Sequence, residues 1–484
     1  MPRGRERDIE HLLRRAGFGA TQAEIDEFAD LGFQRTLDLL LEYERVPDLV
    51  DANIQKPGYL GVTSRGVFSP NTVINDARQR WLFRLVHSPR QLQEKMALFW
   101  HNHFATAYSK IAAAAGSVAT TRMLAAKPFE DASGVRGQLE LLRQHALGNF
   151  RTLLVETARD PAMLFWLDGR TNIRTRPQEN YARELMELFT MGVGFFQEAD
   201  VYAGARVFTG WNVQRHGAGD TLYFTFLYNA AQHDTGPKEF SFPIYRDGGR
   251  RIPARSAADG MQDGFDLIDA VARHPETGRR LARKLYAFFV NEVSSPDEDL
   301  IEALASEYYA SGFEMKPMLR RLFTSRRFRQ PENHHARYSW PVEFVVRALK
   351  EVGWTGFSAS EALTPLSNMG QQLFEPPDVN GWELGRGWFS TGAMLARMNF
   401  AAQLATNQKF NLRDGARADG RTPESLLSAF LDRLTPAPLD AGVSRSLLDY
   451  LRAGGAWSGS DAQLLAKVPG LVHLLVGSGE YQLV

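Results

Sequence analysis

Along most of the chain, apolar residues recur at spacings of three and four positions, with polar and charged residues between them. This is the period of an amphipathic α-helix that buries one face. Thr21 followed by Glu24 has the form of a capping box, in which a hydroxyl and a carboxylate satisfy free backbone amides at a helix start. The pattern predicts helices near residues 8–20, 22–30, 33–44, 72–88, 90–103, 137–147, 149–159, 179–191, 198–209, 262–273, 277–291, 297–311, 315–326, 341–352, 358–372, 392–407, 423–434, 443–453 and 460–476.

One stretch has a period nearer to two. Residues 221–228 and 238–245 are rich in aromatic and β-branched side chains, which favours a β-hairpin or a small sheet. Gly248, Gly249 and Pro253 are expected to end it. We therefore predict a mainly α protein with a large multi-helix body, arranged as a bundle or an α/α-toroid-like fold. A small β-hairpin insertion is expected near residues 221–245.

The polar stretch at residues 413–422 has the composition of a linker before a last group of helices. We predict a main helical domain at residues 1–412, which carries all the motifs described below. The β insertion falls within residues 219–252 of this domain. Residues 413–484 are predicted to form a C-terminal helical subdomain.

Composition removes several classes of function. The 484 residues include no cysteine, which excludes thiol nucleophiles, thiolate zinc sites, iron–sulfur clusters and disulfides. The 56 basic and 56 acidic side chains balance, so no net field attracts nucleic acid and we expect no such partner. No window has the roughly 18 uncharged apolar residues that a membrane helix needs. The charged start of the chain lacks the apolar core of a secretory signal, so a cytoplasmic location is expected, and export would require prior removal of a leader.

Two histidines stand close together in the segment FWHNHF at residues 99–104. Neutral imidazoles are common metal ligands, so His101 and His103 are candidate ligands of a divalent ion. At 100° per residue the two rings point to nearly opposite sides of the predicted helix, and they can share one ion only if the helix ends before His103. The alternative is that one histidine forms a hydrogen bond in the core while the other faces a cleft.

A second motif is the segment ENYARELMELFTMG, in which two carboxylates lie one helical turn apart. Asn180, Arg183, Glu184 and Glu187 form one face of the predicted helix. Such a pair of acids can bind a cation, or one acid can have a raised pKa and donate a proton. The alternative is a solvated face with an ion pair between Arg183 and Glu187.

A third motif is a dense loop at residues 369–388, which contains Asp378, Asn380, Trp382, Glu383 and Trp388. Flat aromatic faces flanked by amides and carboxylates suit sugar rings, which combine apolar CH faces with polar edges. The alternative is that the two tryptophans fix a long loop to the helices.

Weaker candidates complete the set. Asp168 lies on a predicted loop just before the second motif, where sites are common. His233 precedes Asp234 on a turn rich in Gly and Pro, so it could act as an oriented base, although a plain turn is the alternative reading. The chain has no Gly-rich phosphate loop, no GxSxG segment and no HExxH segment.

These motifs follow one another in a specific order. They are LLRRAGFG, FWHNHF, ENYARELMELFTMG, ARVFTGW, then His233-Asp234 with Lys238, His274-Pro275, and GQQLFEPPDVNGW, together spanning about residues 12–400. The combination resembles the domain-of-unknown-function 1800 family. The resemblance implies a bacterial protein and carries no catalytic role over to any position. Gln178 stands where similar proteins often have Asn, which is a conservative change.

The sequence supports three hypotheses of function. The first is a hydrolase of a polar, carbohydrate substrate that uses paired carboxylates in a Trp-lined cleft. Its candidate catalytic residues are Asp168, Glu184, Glu187, Asp378 and Glu383, and its candidate substrate-binding residues are Trp100, Asn180, Arg183, Trp211, Asn380, Trp382 and Trp388.

The second hypothesis is a divalent-metal-assisted hydrolase whose candidate ligands are His101, His103 and His233. These residues suggest a divalent metal ion as a cofactor and identify no other. The third hypothesis is a non-enzymatic binding or assembly module, whose Trp-rich loops bind a partner or a polymer. The expected partner in the first two hypotheses is a small-molecule or polysaccharide substrate.

Overall fold

The computed structural model describes residues 4–484, with side chains from residue 6 onward. These residues form a mainly α-helical protein with two small antiparallel sheets, as the sequence predicts. Among them, no helix combines the length and the apolar character that crossing a bilayer requires. The first helices are α1 (Gly4–Ala16), α2 (Gln22–Leu31), α3 (Phe33–Leu41), α4 (Ile74–His87), α5 (Gln91–His103), α6 (Tyr108–Ala115), α7 (Ser117–Ala125), α8 (Gln138–Gln144), α9 (Phe150–Ala158), α10 (Pro161–Trp166), α11 (Asn180–Glu184) and α12 (Glu198–Val207).

A π-helix, Leu185–Phe189, directly continues α11. The remaining helices are α13 (Met261–Arg273), α14 (Pro275–Phe289), α15 (Glu298–Ala310), α16 (Met315–Thr324), α17 (Arg326–Arg329), α18 (Pro341–Val352), α19 (Ala359–Asn368), α20 (Thr391–Asn407), α21 (Lys409–Ala416), α22 (Pro423–Leu434), α23 (Ala441–Arg452) and α24 (Asp461–Val476). The predicted capping box is present at the start of α2, where the Glu24 amide donates to the Thr21 hydroxyl and the Thr21 amide donates to the Glu24 carboxylate.

Three helices, α4, α5 and α18, lie at the centre of the body. Nearly every side chain of each is buried, including residues 76–86 of α4, 92–101 of α5 and 341–352 of α18. A helix that is buried on all sides is ordinarily apolar all round. These three helices instead carry arginine, lysine and glutamate side chains in the interior. The centre of the protein therefore depends on internal ion pairs as well as on apolar packing.

One internal ion-pair network joins α5 to α18. The Lys95 ammonium donates to the carboxylate of Glu343, and Arg337 donates to both oxygens of the same carboxylate at 2.8 Å each. Burial alone raises the pKa of Glu343, but the charges of Arg337 and Lys95 outweigh it and hold the pKa well below its ordinary value. A second pair links α4 to α5, because Arg84 donates to Glu94 at 3.0 Å. These carboxylates neutralise cations that could not otherwise be buried.

The β insertion contains two short sheets. Strand β1 (Trp211–His216) pairs antiparallel with β2 (Tyr223–Tyr228), and β3 (Lys238–Glu239) pairs with β4 (Arg251–Ile252). A hairpin near residues 221–245 is therefore confirmed, but its pairing differs from the expected one. The partner of β2 precedes it in the chain, and residues 240–245 form no strand. Because β1 has the polar sequence WNVQRH and only Trp211 of it is buried, it lacks the apolar alternation that would identify it.

The C-terminal helices α21–α24 share one continuous apolar core with the body. The last residues also return to it, since the amides of Arg337 and Ser339 donate to the carbonyl oxygens of Val484 and Gln482 at 3.2 and 2.8 Å. The Val484 amide donates back to the Arg337 carbonyl at 2.8 Å. This end of the chain therefore stabilises the segment that carries Arg337. The domain boundary between residues 412 and 413 stays a prediction.

Replacing Glu343 by Gln should lower the free energy of unfolding by about 3–5 kcal/mol, because the buried cations of Lys95 and Arg337 lose their counter-charge. Urea unfolding at pH 7, followed by circular dichroism, measures the change. Glu44→Gln is the matched control, since it removes an exposed carboxylate paired with Lys316 and should leave the midpoint nearly unchanged. Equal effects of the two substitutions would contradict a structural role for the internal network.

Candidate active site

The C-terminal end of α5 joins the three motifs that the sequence singles out. The backbone N–H of Phe374 donates to His101 Nε2 at 3.2 Å, and the backbone N–H of Trp382 donates to Asn102 Oδ1 at 2.7 Å. His103 Nε2 lies 3.1 Å from the carbonyl oxygen of Phe189, at the end of the π-helix. Three consecutive residues of FWHNHF thus hold the loop at residues 369–388 on one side and the ENYARELMELF segment on the other.

The loop approaches α5 more closely than any residue with a side chain would allow. Gly381 has a φ of 83°, and a Cβ at this position would lie 2.3 Å from Asn102 Oδ1 and 2.5 Å from the Asn102 carbonyl oxygen. Only glycine combines this left-handed conformation with such a contact at low cost. The NGW sequence therefore has a structural reason, which is to bring Trp382 against the end of α5.

His101 is part of the apolar interior. Its ring packs against Trp81, Phe374 and Trp382, with ring centroids 5.2–5.7 Å apart. Burial lowers the pKa of His101 to about 3, so the ring is neutral and accepts the hydrogen bond from the Phe374 amide. The ring serves to fix the loop, and the structure does not support a metal-binding role for it.

His103 faces the opposite side of α5, as the helical wheel predicts. Because the Phe189 carbonyl can only accept, Nε2 carries the proton, and Nδ1 has a free lone pair. Lys284 of α14 donates its amine to this Nδ1 at 2.9 Å. Burial, together with the nearby charges of Lys284 and Arg280, holds the pKa of His103 well below its ordinary value. Both ring nitrogens are engaged, and α5 extends through His103, so this ring cannot share an ion with His101.

His233 lies apart from the other two histidines, in a buried cluster between the β insertion and α13. One ring nitrogen is 2.9 Å from the Thr209 carbonyl oxygen, and the other is 3.3 Å from the Asp263 carboxylate. Lys238 and Arg255 donate to the same carboxylate. Within residues 4–484, no three His, Asp or Glu side chains are grouped so that they could hold a metal ion. The predicted ligand set of His101, His103 and His233 is therefore not assembled.

The helix that carries Glu184 and Glu187 changes its hydrogen-bonding pattern at Leu185, where α11 continues as the π-helix. Segments of π-helix inside longer helices occur frequently at functional sites. Glu184 and Glu187 are partly exposed, whereas Leu185 and Phe189 point into the core. Partial burial raises the pKa of Glu184, and the negative charge of Glu187 raises it further.

Arg183 does not form the expected ion pair with Glu187. It pairs instead with Glu179 at 3.2 Å and with Glu198 at 2.8 Å. Its charge is therefore directed toward the start of α11 and α12, and it lowers the pKa of Glu184 less than burial raises it. The alternative of a solvated face closed by an Arg183–Glu187 bridge does not agree with this arrangement.

Asp168 extends the same face beyond the start of α11. Its backbone is left-handed, with a φ of 60°, and its carboxylate accepts a hydrogen bond from the side-chain amide of Asn180 at 3.1 Å. Lys110 of α6 lies 3.7 Å from this carboxylate and 5.0 Å from the centre of the Trp166 ring. Asp168 is therefore joined to Asn180, which lies one helical turn before Glu184, and Asp168, Glu184 and Glu187 are all partly exposed.

Trp382 and Trp388 line one cavity of about 250 Å³, together with Glu383, Asn368 and Ser390. Both indoles are more than nine-tenths buried. Neither indole N–H has a hydrogen-bond partner among residues 4–484, although buried polar groups of this kind are normally paired. Of the predicted loop residues, the structure thus brings two tryptophans and one carboxylate to a common space.

Asp378 and Asn380 lie outside this space. Both are exposed, and the Asp378 carboxylate accepts a hydrogen bond from the backbone N–H of Asn380 at 2.8 Å. This is the ordinary role of an Asp in a turn. The structure gives neither residue a contact with the other predicted acids.

Trp100 and Trp211 are corrections to the sequence-based set, because they lie in the core and line no cleft. Trp100 has no exposed surface, and its indole N–H donates to the Ala146 carbonyl oxygen at 2.9 Å. Trp211 is 1% exposed and packs edge-on against Phe208, Phe226 and Phe265. Both side chains stabilise the fold by packing.

Sequence reasoning missed Arg280 and Lys284, which α14 presents to the end of α5. Burial, together with the neighbouring Arg280, lowers the pKa of Lys284 to about 7. The sequence could have indicated Lys284, because this lysine lies on the apolar stripe of its helix, three residues after Leu281 and four before Phe288. A lysine on a buried stripe requires either an anionic partner or a lowered pKa.

The model of one protein family, described as "Protein of unknown function (DUF1800)", matches residues 11–483 of the chain. No curated protein and no solved structure has a significant match to the chain. The matched range includes the end of α5, the π-helix, the loop at residues 369–388 and the C-terminal helices.

Proposed function

The chain belongs to the DUF1800 family, which its sequence matches over nearly the whole length, and we propose, from the site and not from the family, that it is a hydrolase of a carbohydrate substrate. In this proposal the cavity beside Trp382 and Trp388 binds a sugar ring. Glu184 and Glu187 supply the acid and base of the reaction.

The observation that carries the proposal is the composition of the cavity. Two indoles provide apolar surface, while Glu383 and Asn368 provide hydrogen-bond acceptors and a donor. Sugar rings need this combination, because their CH faces are apolar and their hydroxyl groups both donate and accept hydrogen bonds. A volume of about 250 Å³ lies just below the roughly 300–1,000 Å³ of pockets that bind drug-sized ligands, and it suits a single ring.

The reaction is supported by the environment of Glu184. A carboxylic acid donates a proton efficiently near neutral pH only if its pKa is raised, and partial burial and the charge of Glu187 both act in this direction. Glu187 would then act as the base that activates water or as the nucleophile. The separation of the two carboxyl groups around the bound sugar decides between inversion and retention.

The two parts of the proposed site are attached to neighbouring residues of α5. Asn102 binds the loop that carries Trp382, and His103 binds the end of the π-helix that carries Glu187. In this proposal an extended substrate spans the two parts, with one ring in the cavity and the reacting bond near Glu184.

A second candidate is a binding module without turnover, and one observation favours it. Glu383 is the one carboxylate among the described residues that line the cavity, whereas hydrolysis requires two. Under this alternative the cavity binds a sugar, and Glu184 and Glu187 are solvated carboxylates without a catalytic role. Binding and turnover therefore need separate tests.

Glu184→Gln should lower kcat by about 10²–10⁴-fold, because the amide cannot donate a proton to the leaving group. The wild-type protein is first assayed for release of reducing ends from a panel of polysaccharides and oligosaccharides, which identifies the substrate. The same assay with that substrate then measures the kcat of each variant. The alkaline limb of the wild-type kcat/KM profile should lie above the ordinary glutamate pKa of about 4.3, since the acid acts only while protonated, and this limb should disappear in Glu184→Gln.

Glu187→Gln should also lose activity, whereas Glu27→Gln, an exposed acid of α2, should keep it. Undiminished turnover in Glu184→Gln would refute the assigned acid. If the wild-type protein binds sugars of the panel but hydrolyses none, the binding module is the correct alternative.

Trp388→Phe and Glu383→Gln should each weaken sugar binding by about tenfold, because the first removes part of the apolar ring surface and the second replaces a charged acceptor by a neutral amide of the same shape. Isothermal titration with the oligosaccharide that binds best measures the affinity. Trp457→Phe is the matched control, because Trp457 is not among the residues that line the cavity. Its indole N–H donates to the Gly420 carbonyl oxygen at 2.9 Å. Unchanged affinity in both cavity variants would show that the sugar binds elsewhere.

A further inference from the structure

Arg280 and Lys284 lie one turn apart on α14, and Lys284 differs from the deeply buried lysines. The three most deeply buried lysines are each paired with a carboxylate, namely Lys95 with Glu343, Lys238 with Asp263 and Lys350 with Glu24. Within the described part of the chain, neither Arg280 nor Lys284 forms an ion pair, and the buried Nε of Arg280 has no hydrogen-bond partner. Arg280 disfavours the protonated form of the adjacent Lys284 amine, and the attraction of Glu187 acts on Arg280.

Neutral acceptors hold the amine of Lys284 in place. Its Nζ lies 2.9 Å from the free lone pair of His103 Nδ1 and 3.4 Å from the carbonyl oxygen of Leu188. Both groups accept hydrogens that a neutral amine can still donate, so neither requires a positive charge. The nitrogen lone pair of the neutral amine is not used by either contact, which leaves it available for a bond to carbon.

The charged groups around Lys284 do not favour protonation of its amine. Arg280 on the same helix disfavours protonation, His103 from α5 is neutral, and Glu187 of the π-helix exerts its attraction on Arg280. Burial is the largest contribution and lowers the pKa of Lys284 to about 7. A desolvated lysine beside a second cation is one of the recognised forms of an activated amine nucleophile.

The route of a reactant to the amine lies along an edge where side chains are partly exposed. Lys284 and Arg280 are both partly exposed, and so is Glu187, whose charge acts on Arg280. The inference requires a small carbonyl compound to reach Nζ along this edge. The carboxylate of Glu187 can exchange the protons that carbonyl addition requires.

We propose that Lys284 is a nucleophilic amine that forms an imine with an aldehyde or ketone bound beside the π-helix. The Nζ lone pair attacks the carbonyl carbon while the carbonyl oxygen takes a proton, which gives a carbinolamine. The nitrogen loses a proton, the hydroxyl group is protonated and leaves as water, and a carbon–nitrogen double bond remains. His103 is a positioning residue that holds the amine. This inference does not depend on the hydrolase proposal.

Reductive trapping tests the inference on the intact protein. The wild-type chain is treated briefly with propionaldehyde and sodium cyanoborohydride at pH 7, which converts an imine into a stable propyl-lysine, and the modified lysines are mapped by peptide mass spectrometry. An ordinary lysine, with a pKa of about 10.4, is neutral in about one molecule in 2,500 at pH 7, whereas a lysine with a pKa near 7 is neutral in about half. Allowing for partial burial, Lys284 should be modified at least about tenfold faster than the exposed Lys409.

Two further measurements make the result specific. The advantage of Lys284 over Lys409 should shrink as the pH rises to 9, because the ordinary lysine then gains neutral amine and Lys284 does not. Lys284→Met should lose the fast-labelled peptide, while Lys409→Met should keep it. Modification of Lys284 at a rate equal to or below that of Lys409 at pH 7 would overturn the inference. This outcome is independent of polysaccharide hydrolysis, so either proposal can fail alone.

Discussion

The end of α5 is the constraint on which the arrangement of all three motifs depends. His101, Asn102 and His103 are consecutive, so their side chains leave the helix in different directions and reach different segments. Two of them accept backbone hydrogen bonds from the loop, and the third binds the π-helix. Two segments about 190 residues apart in the chain are fixed to the same turn of one helix. Any site built from both must form around this turn.

The interior explains how this turn is held. The helices at the centre are buried on all sides but carry charges, and these charges are matched in pairs such as Lys95 with Glu343. A matched buried pair is costly to break from one side, so it specifies which helix faces which. Lys284 departs from this rule because it lies among neutral acceptors and a second cation. The exception occurs beside the π-helix, where the other candidate functional groups lie.

Much of the fold follows from local pattern, and little of the site does. The periodicity and caps predict the helices, including α5 and the capping box at Thr21, because these depend on near neighbours in sequence. The pairing of β2 with the polar strand β1 and the start of a π-helix at Leu185 depend on distant packing that no local pattern encodes. Aromatic composition selected Trp382 and Trp388, which line one cavity, but it could not separate them from Trp100, which fills the core.

The most direct test of the account is hydrogen exchange of the Asn102→Ala variant, measured by mass spectrometry. Removing the acceptor for the Trp382 amide should speed exchange about tenfold in peptides that cover residues 371–388, since the loss of one such bond corresponds to about 1.4 kcal/mol of local stability. Peptides of the π-helix, held through His103, and of α15 should exchange as in the wild-type protein. Unchanged exchange in residues 371–388 would contradict the claim that the end of α5 holds the loop.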